Sequence, residues 1–327
     1  MSSENTASYE KIHYLLRPAK NVQRKMLCEA FRRLGKAREL SEYRYIGFGS
    51  MYYGDFILFH KALGIERMAS IEYEKGEKRA RFNRPYECVT VLPGRAAAKL
   101  IELNWKECPA IVWLDYDYGL EKEVLSDIAQ VAANVISNSM LIVTVDASEK
   151  GLAKLRDEDD VEYDFDLEEF ESEERQIGKL NLKCGTKFPV NTDLRDGGIA
   201  KIYRKLINAR IADAVNSLRI NSQKLKYHQV FNFRYSDGRD MMTVGGIVSP
   251  INLNIKRFGF KALRFCRPNT KSFDIEAPKL TLREIREMNR ALPCSDAGKI
   301  RIPIPKGDKM LYQQIYRYFP TFTEAEL

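Results

Sequence analysis

Residues 19 to 34, AKNVQRKMLCEAFRRL, place Val22, Met26, Leu27, Ala30 and Leu34 at helical spacing with basic residues between them, which predicts an amphipathic helix. From there short apolar runs alternate with helical stretches. RYIGFG reads as a strand that breaks on Gly47 and Gly49, GDFILFHKALG as a helix closed by Gly64, and RMASIE as a second strand. KGEKRARFN is helical in pattern until Pro85 stops it, ECVTVL is a third strand and RAAAKLIEL a further helix. AIVWLD, LEKEVLSDIAQVAANVISN and MLIVTVD continue as strand, long helix and strand. Strands that are apolar throughout and alternate with helices predict a parallel sheet covered on both faces, an α/β doubly wound domain.

The period then changes. LRDGGIAKIYRKLINARIADAVNSLR is a strong amphipathic helix, after which YHQVFNFRYSDGRDMMTVGGIVSP holds two β-rich runs around Ser236, Asp237, Gly238 and Arg239. This predicts an antiparallel hairpin closing one edge of a sheet that began parallel. The expected organisation is an N-terminal helical extension over 1–40, the α/β domain over 41–252 with an acidic insertion at about 150–190, and a C-terminal extension over 253–327 packed on the core.

Charge changes the picture next. The chain has 327 residues and a net charge of +8, yet DEDDVEYDFDLEEFESEE at 157 to 174 carries twelve acids and no base. The rest therefore holds all 53 bases against 33 of the 45 acids. So basic a remainder suits a polyanion such as nucleic acid, with the acidic run as an internal counterweight or simply a solvated loop. A protein partner or a homo-oligomer is equally compatible. Six cysteines stand apart without C-x-x-C spacing, and His13, His60 and His228 are the only histidines, so zinc is not expected and a reducing cytoplasmic setting is. Neither a signal core nor a stretch approaching the roughly 18 apolar residues of a membrane span occurs, so no membrane role is expected.

Glycines at a strand's carboxyl end let a ligand approach the backbone, and an acid ending the next strand can accept hydrogen bonds from ribose hydroxyls. Gly47-Phe48-Gly49 followed by a helix, a strand and Glu72 has that order, although a bare strand-to-helix turn produces the same glycines. YIGFGS, SIEYE, LDYDYG and the late hairpin, taken together over about residues 40 to 250, resemble the class I S-adenosylmethionine-dependent methyltransferases. LRPAKNVQRKM with the strand after it is similar to an uncharacterised bacterial group of O-methyltransferase-like proteins. The resemblance implies a Rossmann-like sheet, S-adenosylmethionine as cofactor, Gly47, Gly49 and Ser50 against it, and Glu72 on the ribose with Glu74 as the alternative. Two departures stand out: Tyr45 and Ile46 precede the glycines where an acid is common, and Arg95 occupies the region where many members hold the adenine amine with an acid.

LDYDYG ends the fourth strand, where the superfamily commonly places catalytic or substrate-facing residues. Asp115 is the first candidate for base or positioning group and Asp117 the second, with Tyr118 as a lining residue. A magnesium reading of Asp115, Asp117 and Asp146 is the weaker alternative to acids that cap the following helix. Arg17, Lys20 and Asn21 precede or begin the helix leading into the cofactor strand and are candidates for the pocket mouth, against a basic helix start in solvent. The functional expectation is a methyltransferase of open acceptor, nucleic acid or small molecule; the alternative is a catalytically silent binding module of the same fold.

Overall fold

The structure, a computed structural model, describes residues 17–153, 155–156, 162–163, 173–189, 192, 194, 197–217 and 224–320. Helix α1 (Pro18–Arg32) comes first. Strands β1 (Arg44–Gly47), β2 (Arg67–Glu72), β3 (Val89–Pro93), β4 (Ala110–Asp115) and β5 (Ser139–Asp146) then alternate with helices α2 (Gly54–Leu63), α3 (Glu77–Asn83), α4 (Ala96–Glu102) and α5 (Lys122–Asn134). A short helix α6 (Glu149–Ala153) precedes the two-residue strands β6 (Leu155–Arg156) and β7 (Glu162–Tyr163), which pair antiparallel. Apart from Glu162, Tyr163 and the start of α7 (Glu173–Cys184), the acidic run at 157 to 174 lies outside the described residues. The long helix α8 (Gly198–Ser217) leads to β8 (Leu225–Ser236) and β9 (Asp240–Pro250).

The sheet has eight strands in the order β10-β8-β9-β5-β4-β1-β2-β3. β1 to β5 run parallel, β9 is antiparallel to both β5 and β8, and β10 (Phe273–Ile275) lies parallel to β8. The predicted hairpin is there, but it is not the edge: the C-terminal extension adds a strand outside it. Three residues are too few to show a period, which is why β10 reads as loop in the sequence. Helices α9 (Leu282–Ala291) and α10 (Lys306–Ile315) complete the tail around a small core of Ile285, Met288, Ile304 and Tyr312. Among the described residues, no helix is long and apolar enough to cross a membrane.

The two faces of the sheet bury separate cores. Ile46, Val112, Leu114, Leu141 and Val143 meet α5 and α8 on one face. Tyr45, Ile111, Trp113, Ile142, Phe231 and Phe233 meet α1 and α2 on the other. The helix that precedes the first strand is therefore a full layer of the fold, with Val22, Leu27, Ala30 and Phe31 at 0% exposure.

Helix α1 starts with Pro18, whose missing N–H and fixed φ suit a first turn, but Arg17 at the cap position offers no side-chain acceptor. The cap comes from the far end of the sequence: Asp237, in the turn between β8 and β9, accepts the Lys20 backbone N–H at 2.9 Å and also engages the amide of Ala19. One turn further, Gln23 donates to the Thr243 hydroxyl, which meets Thr144 at 2.7 Å, and Thr144 accepts the Trp113 indole N–H at 2.9 Å. A buried polar line thus ties α1 to β9, β5 and β4 in succession. Asp237→Ala removes an N-cap acceptor and is expected to lower stability by about 0.5–2 kcal/mol in urea unfolding; an unchanged midpoint would assign the capping to water instead.

Candidate active site

The parallel register opens a notch at the carboxyl ends of the central strands. Gly47, the last residue of β1, lies level with Ser70 of β2 and Trp113 of β4. Both neighbours run two residues further, to Glu72 and Asp115. With strands about 4.8 Å apart, the ends of β2 and β4 stand about 10 Å from each other across the gap left by β1. The alternation of side chains puts Glu72, Asp115, Ser70 and Trp113 on the face shared with Tyr45, α1 and α2. Strand order reverses between β1 and β4, so the notch is also the switch point of the sheet, where ligands of open α/β folds bind.

One wall is built by the loop after β1. The Gly49 amide donates to Ser70 Oγ at 2.9 Å, and that hydroxyl donates to Glu72 Oε1 at 2.6 Å. Burial pushes the Glu72 carboxyl up to about 7, opposed by the Ser70 hydroxyl and by the amides of Gly49 and Ser50. Ser50 and Tyr53 both hold positive φ, 49° and 48°, a conformation that non-glycine side chains rarely adopt and that only a well-determined surrounding sustains. The glycines answer first to protein packing: a Cβ on Gly49 would sit 2.6 Å from Ser70 Oγ and from the Tyr53 ring, and one on Gly47 would sit 2.6 Å from the Tyr45 hydroxyl. Glu74 is exposed in the turn beyond β2, so Glu72 is the acid that faces inward. Arg95 is exposed at the start of α4.

The opposite wall centres on Lys20. Its Nζ lies 2.6 Å from Asp115 Oδ1, 3.1 Å from the Tyr235 hydroxyl and 4.5 Å from the centre of the Trp113 ring. The Lys20 side chain is 6% exposed and that of Asp115 26%, so the ammonium is enclosed while the carboxylate keeps an open side. Burial pulls the Lys20 ammonium below its ordinary value, and Asp115 opposes that pull. Beneath the pair, the Tyr45 hydroxyl donates to Asp55. Asp55 is itself raised by burial and held down by the charge of Arg24 and by the Tyr45 bond. An acid is missing from the β1 sequence just ahead of the glycines; α2 supplies one in space through Asp55.

The other predicted residues scatter. Strand β4 ends at Asp115, and Tyr116 points to the opposite core, bonding Asp127 at 2.7 Å. Tyr118 packs edge-on against Tyr116 at 5.2 Å. The Asp117 carbonyl accepts from Arg239 at 3.1 Å. Asp146 is 1% exposed and is taken by the Ser148 amide at 2.8 Å and by its hydroxyl, with Arg239 beside it, so it does not join the two strand-end aspartates. Among the described residues, no group of three or more His, Cys, Asp or Glu side chains is arranged to hold a metal ion. Of the α1 candidates, Arg17 stands at the cap position, and its charge reaches Tyr235 and Asp237. Asn21 carries a buried Oδ1 without a hydrogen-bond partner among the described residues, and Lys20 enters the site itself. Sequence reasoning did not single out Ser70, Asp55, Arg24, Trp113 or Tyr235. The one signal was Asp55, a lone acid in the apolar run GDFILF. Gly49→Ala places a methyl group against Ser70 and Tyr53 and is expected to cost about 1–3 kcal/mol of stability by thermal or urea unfolding; a neutral substitution would mean the loop has room to shift.

The solved structures to which the chain is similar are distant from it. The O-methyltransferase TomG from Streptomyces achromogenes, involved in tomaymycin synthesis and solved with S-adenosylmethionine, shares 12% identity over 67% of this chain and 79% of its own, with a TM-score of 0.35. An O-methyltransferase from Bacillus cereus, solved with S-adenosylhomocysteine, shares 13% identity over 67% of this chain and 80% of its own, at a TM-score of 0.35. No curated protein matches the sequence. A family model described as "Putative O-methyltransferase" matches residues 12–327, and the chain belongs to that family.

Proposed function

We propose that this protein transfers a methyl group from S-adenosylmethionine to an acceptor hydroxyl, with Glu72 holding the cofactor ribose and Asp115 taking the acceptor proton. The observation that carries the reading is the notch: two carboxylates on one face, each two residues beyond Gly47, in different surroundings. Glu72 fits a ribose because it is an enclosed acceptor beside the Gly49 and Ser50 amides, with Ser70 fixing one of its oxygens. When bound, the cofactor supplies an electrophilic methyl group on a sulfonium sulfur. Alignment of an acceptor with that methyl group and removal of its proton are the remaining tasks.

Asp115 is suited to the second task. Lys20 fixes Oδ1, orients the carboxylate and compensates its charge, while the open side of Asp115 faces the notch. Tyr235 and the Trp113 ring fix Lys20 in turn, so the carboxylate is held through two layers of contact. Arg17 and Asn21, at the start of the same helix, line the approach for the acceptor.

Asp115→Asn keeps size and removes the base together with the charge partner of Lys20, so some stability is lost and the comparison is made on folded protein. S-adenosylmethionine binding by calorimetry is expected to persist, while transfer of labelled methyl to fractionated cell extract falls by about a hundredfold or more. Asp117→Asn leaves in place the backbone carbonyl that accepts from Arg239 and is expected to be far milder. Equal loss in both would remove Asp115 from the role, and wild-type protein that binds the cofactor but labels no fraction would be a silent binding module.

Because Glu72 titrates at about 7 and its ionised form is the better ribose acceptor, cofactor affinity is expected to rise as pH rises through that value. Between pH 6 and 8 the gain is about tenfold, set by the fraction of protein in the binding form. Glu72→Gln is expected to bind more weakly and without the pH step in calorimetric titrations; a retained step would place the titrating group elsewhere.

A further inference from the structure

Away from the notch, one side of α1 borders a groove of about 610 Å³. Lys25 and Arg32 of α1, then Arg33 and Lys36 of the 3-10 turn that continues it (Arg33–Lys36), follow one another along this wall. Leu58 and Ala62 of α2 add apolar lining, and Arg317 and Tyr318 of the tail form the other lip. Among the described residues the single acid of the lining is Glu29, and it receives the Tyr318 hydroxyl, which locks the tail against the helix. Further bases crowd the same end. A Cβ on Gly259 would lie 3.2 Å from Lys36 Nζ and 3.7 Å from Arg33 Nη1, and Arg257 donates to the Lys36 carbonyl at 2.7 Å.

Bases at the end of a helix are stabilised by its dipole, which accounts for Arg32 in the last turn. The dipole does not account for Lys25, near the middle of the helix, or for Arg317, which belongs to another element. Among the described residues, none of Lys25, Arg33, Lys36 and Arg317 forms a salt bridge. Lys25 is half-buried, and burial alone pulls its ammonium below the ordinary value. Like charges gathered in a concavity repel one another and concentrate potential there, an arrangement that an anionic ligand relieves.

The length of the row selects among anions. From Lys25 to Lys36 the α-helix and the 3-10 turn after it advance about 18 Å, more than one phosphate or one small metabolite spans. A membrane surface meets a convex or flat face with apolar side chains to insert. The most exposed large apolar residues, Phe82 at 89% and Ile101 at 72%, lie elsewhere. We propose that the groove between α1 and the C-terminal tail binds the phosphate backbone of a nucleic-acid strand, Lys25, Arg32, Arg33, Lys36 and Arg317 each meeting phosphate oxygens. The surface is distinct from the methyl-transfer notch: Lys20 and Lys25 lie on different sides of α1, so either can be wrong without the other.

The test is fluorescence anisotropy of short labelled RNA and DNA, single-stranded and duplex, titrated with the whole protein from about 50 to 200 mM salt. Wild-type protein is expected to bind at least one of them, with affinity falling steeply as salt rises. The Arg32→Ala, Arg33→Ala, Lys36→Ala variant is expected to bind at least about tenfold more weakly, with a log–log salt slope shallower by about 2 to 3, as for three lost phosphate contacts. Its calorimetric affinity for S-adenosylmethionine should match wild type. If the triple variant does not fold, Lys36→Glu and Arg317→Glu, both at exposed positions, carry the same comparison. Three results would overturn the inference: no binding of any oligonucleotide at the lowest salt, an unchanged salt slope in the variants, or tighter binding to phosphatidylserine vesicles than to nucleic acid.

Discussion

The structure is organised around an ammonium group held out of water. Lys20 lies within the first described helix, and removing its charge from solvent carries a penalty of several kcal/mol unless good partners replace the lost hydration. The partners come from two places far apart in the sequence: the Asp115 carboxylate and the face of Trp113 from β4, and the Tyr235 hydroxyl from β8. Asp237, one residue past β8, holds the same lysine by its backbone. Satisfying Lys20 therefore requires α1 to lie across the sheet with its first turn over the switch point and the hairpin turn against it. The Gln23, Thr243, Thr144 and Trp113 line continues the constraint along the helix, so that small displacements of α1 would break several buried hydrogen bonds together.

The same constraint sets two carboxylates in different surroundings. Glu72 and Asp115 end neighbouring strands of one central strand and face the same side, yet their environments differ. Glu72 is closed in by the loop after β1, and burial raises its pKa toward neutrality. Asp115 has a lysine on one oxygen and an opening on its other side. Two acids with separated environments are the usual means by which one site binds with one group and moves a proton with another. Below them Tyr45, Asp55 and Arg24 form a polar layer, and the Tyr45 hydroxyl occupies the space a larger residue at 47 would need.

The C-terminal extension serves the same helix from the other side. Tyr318 bonds Glu29, Arg257 bonds the chain after α1, and β10 adds a strand beside β8. α1 is thus clamped between the sheet and the tail, and the basic groove is the seam of that clamp. Its charge is a property of two segments about 285 residues apart that no local window of the sequence joins.

How much could be read beforehand depended on whether the signal was local. Five parallel strands, their helices, the antiparallel hairpin and the glycine turn each rest on periodicity or on turn chemistry within about a dozen residues, and each falls on the residues the pattern marked, although β10 flanks the hairpin and takes the edge. That Glu72 and Asp115 end their strands is legible for the same reason, since a strand's last residue is a local feature whatever surrounds it. Burial of Lys20 was not: a lysine in the first turn of a basic amphipathic helix has the pattern of a solvated residue, and only the approach of β4 and β8 encloses it. Neither was the cap from Asp237, the acid that Asp55 brings beneath Gly47, or β10, each decided by contacts between distant segments or by a stretch too short to carry a period. By itself the sequence determined the order of elements and which residues end them. Tertiary structure decided which charges lose water and which partners then hold them, because desolvation is set by everything that packs around a group and not by its neighbours in the chain.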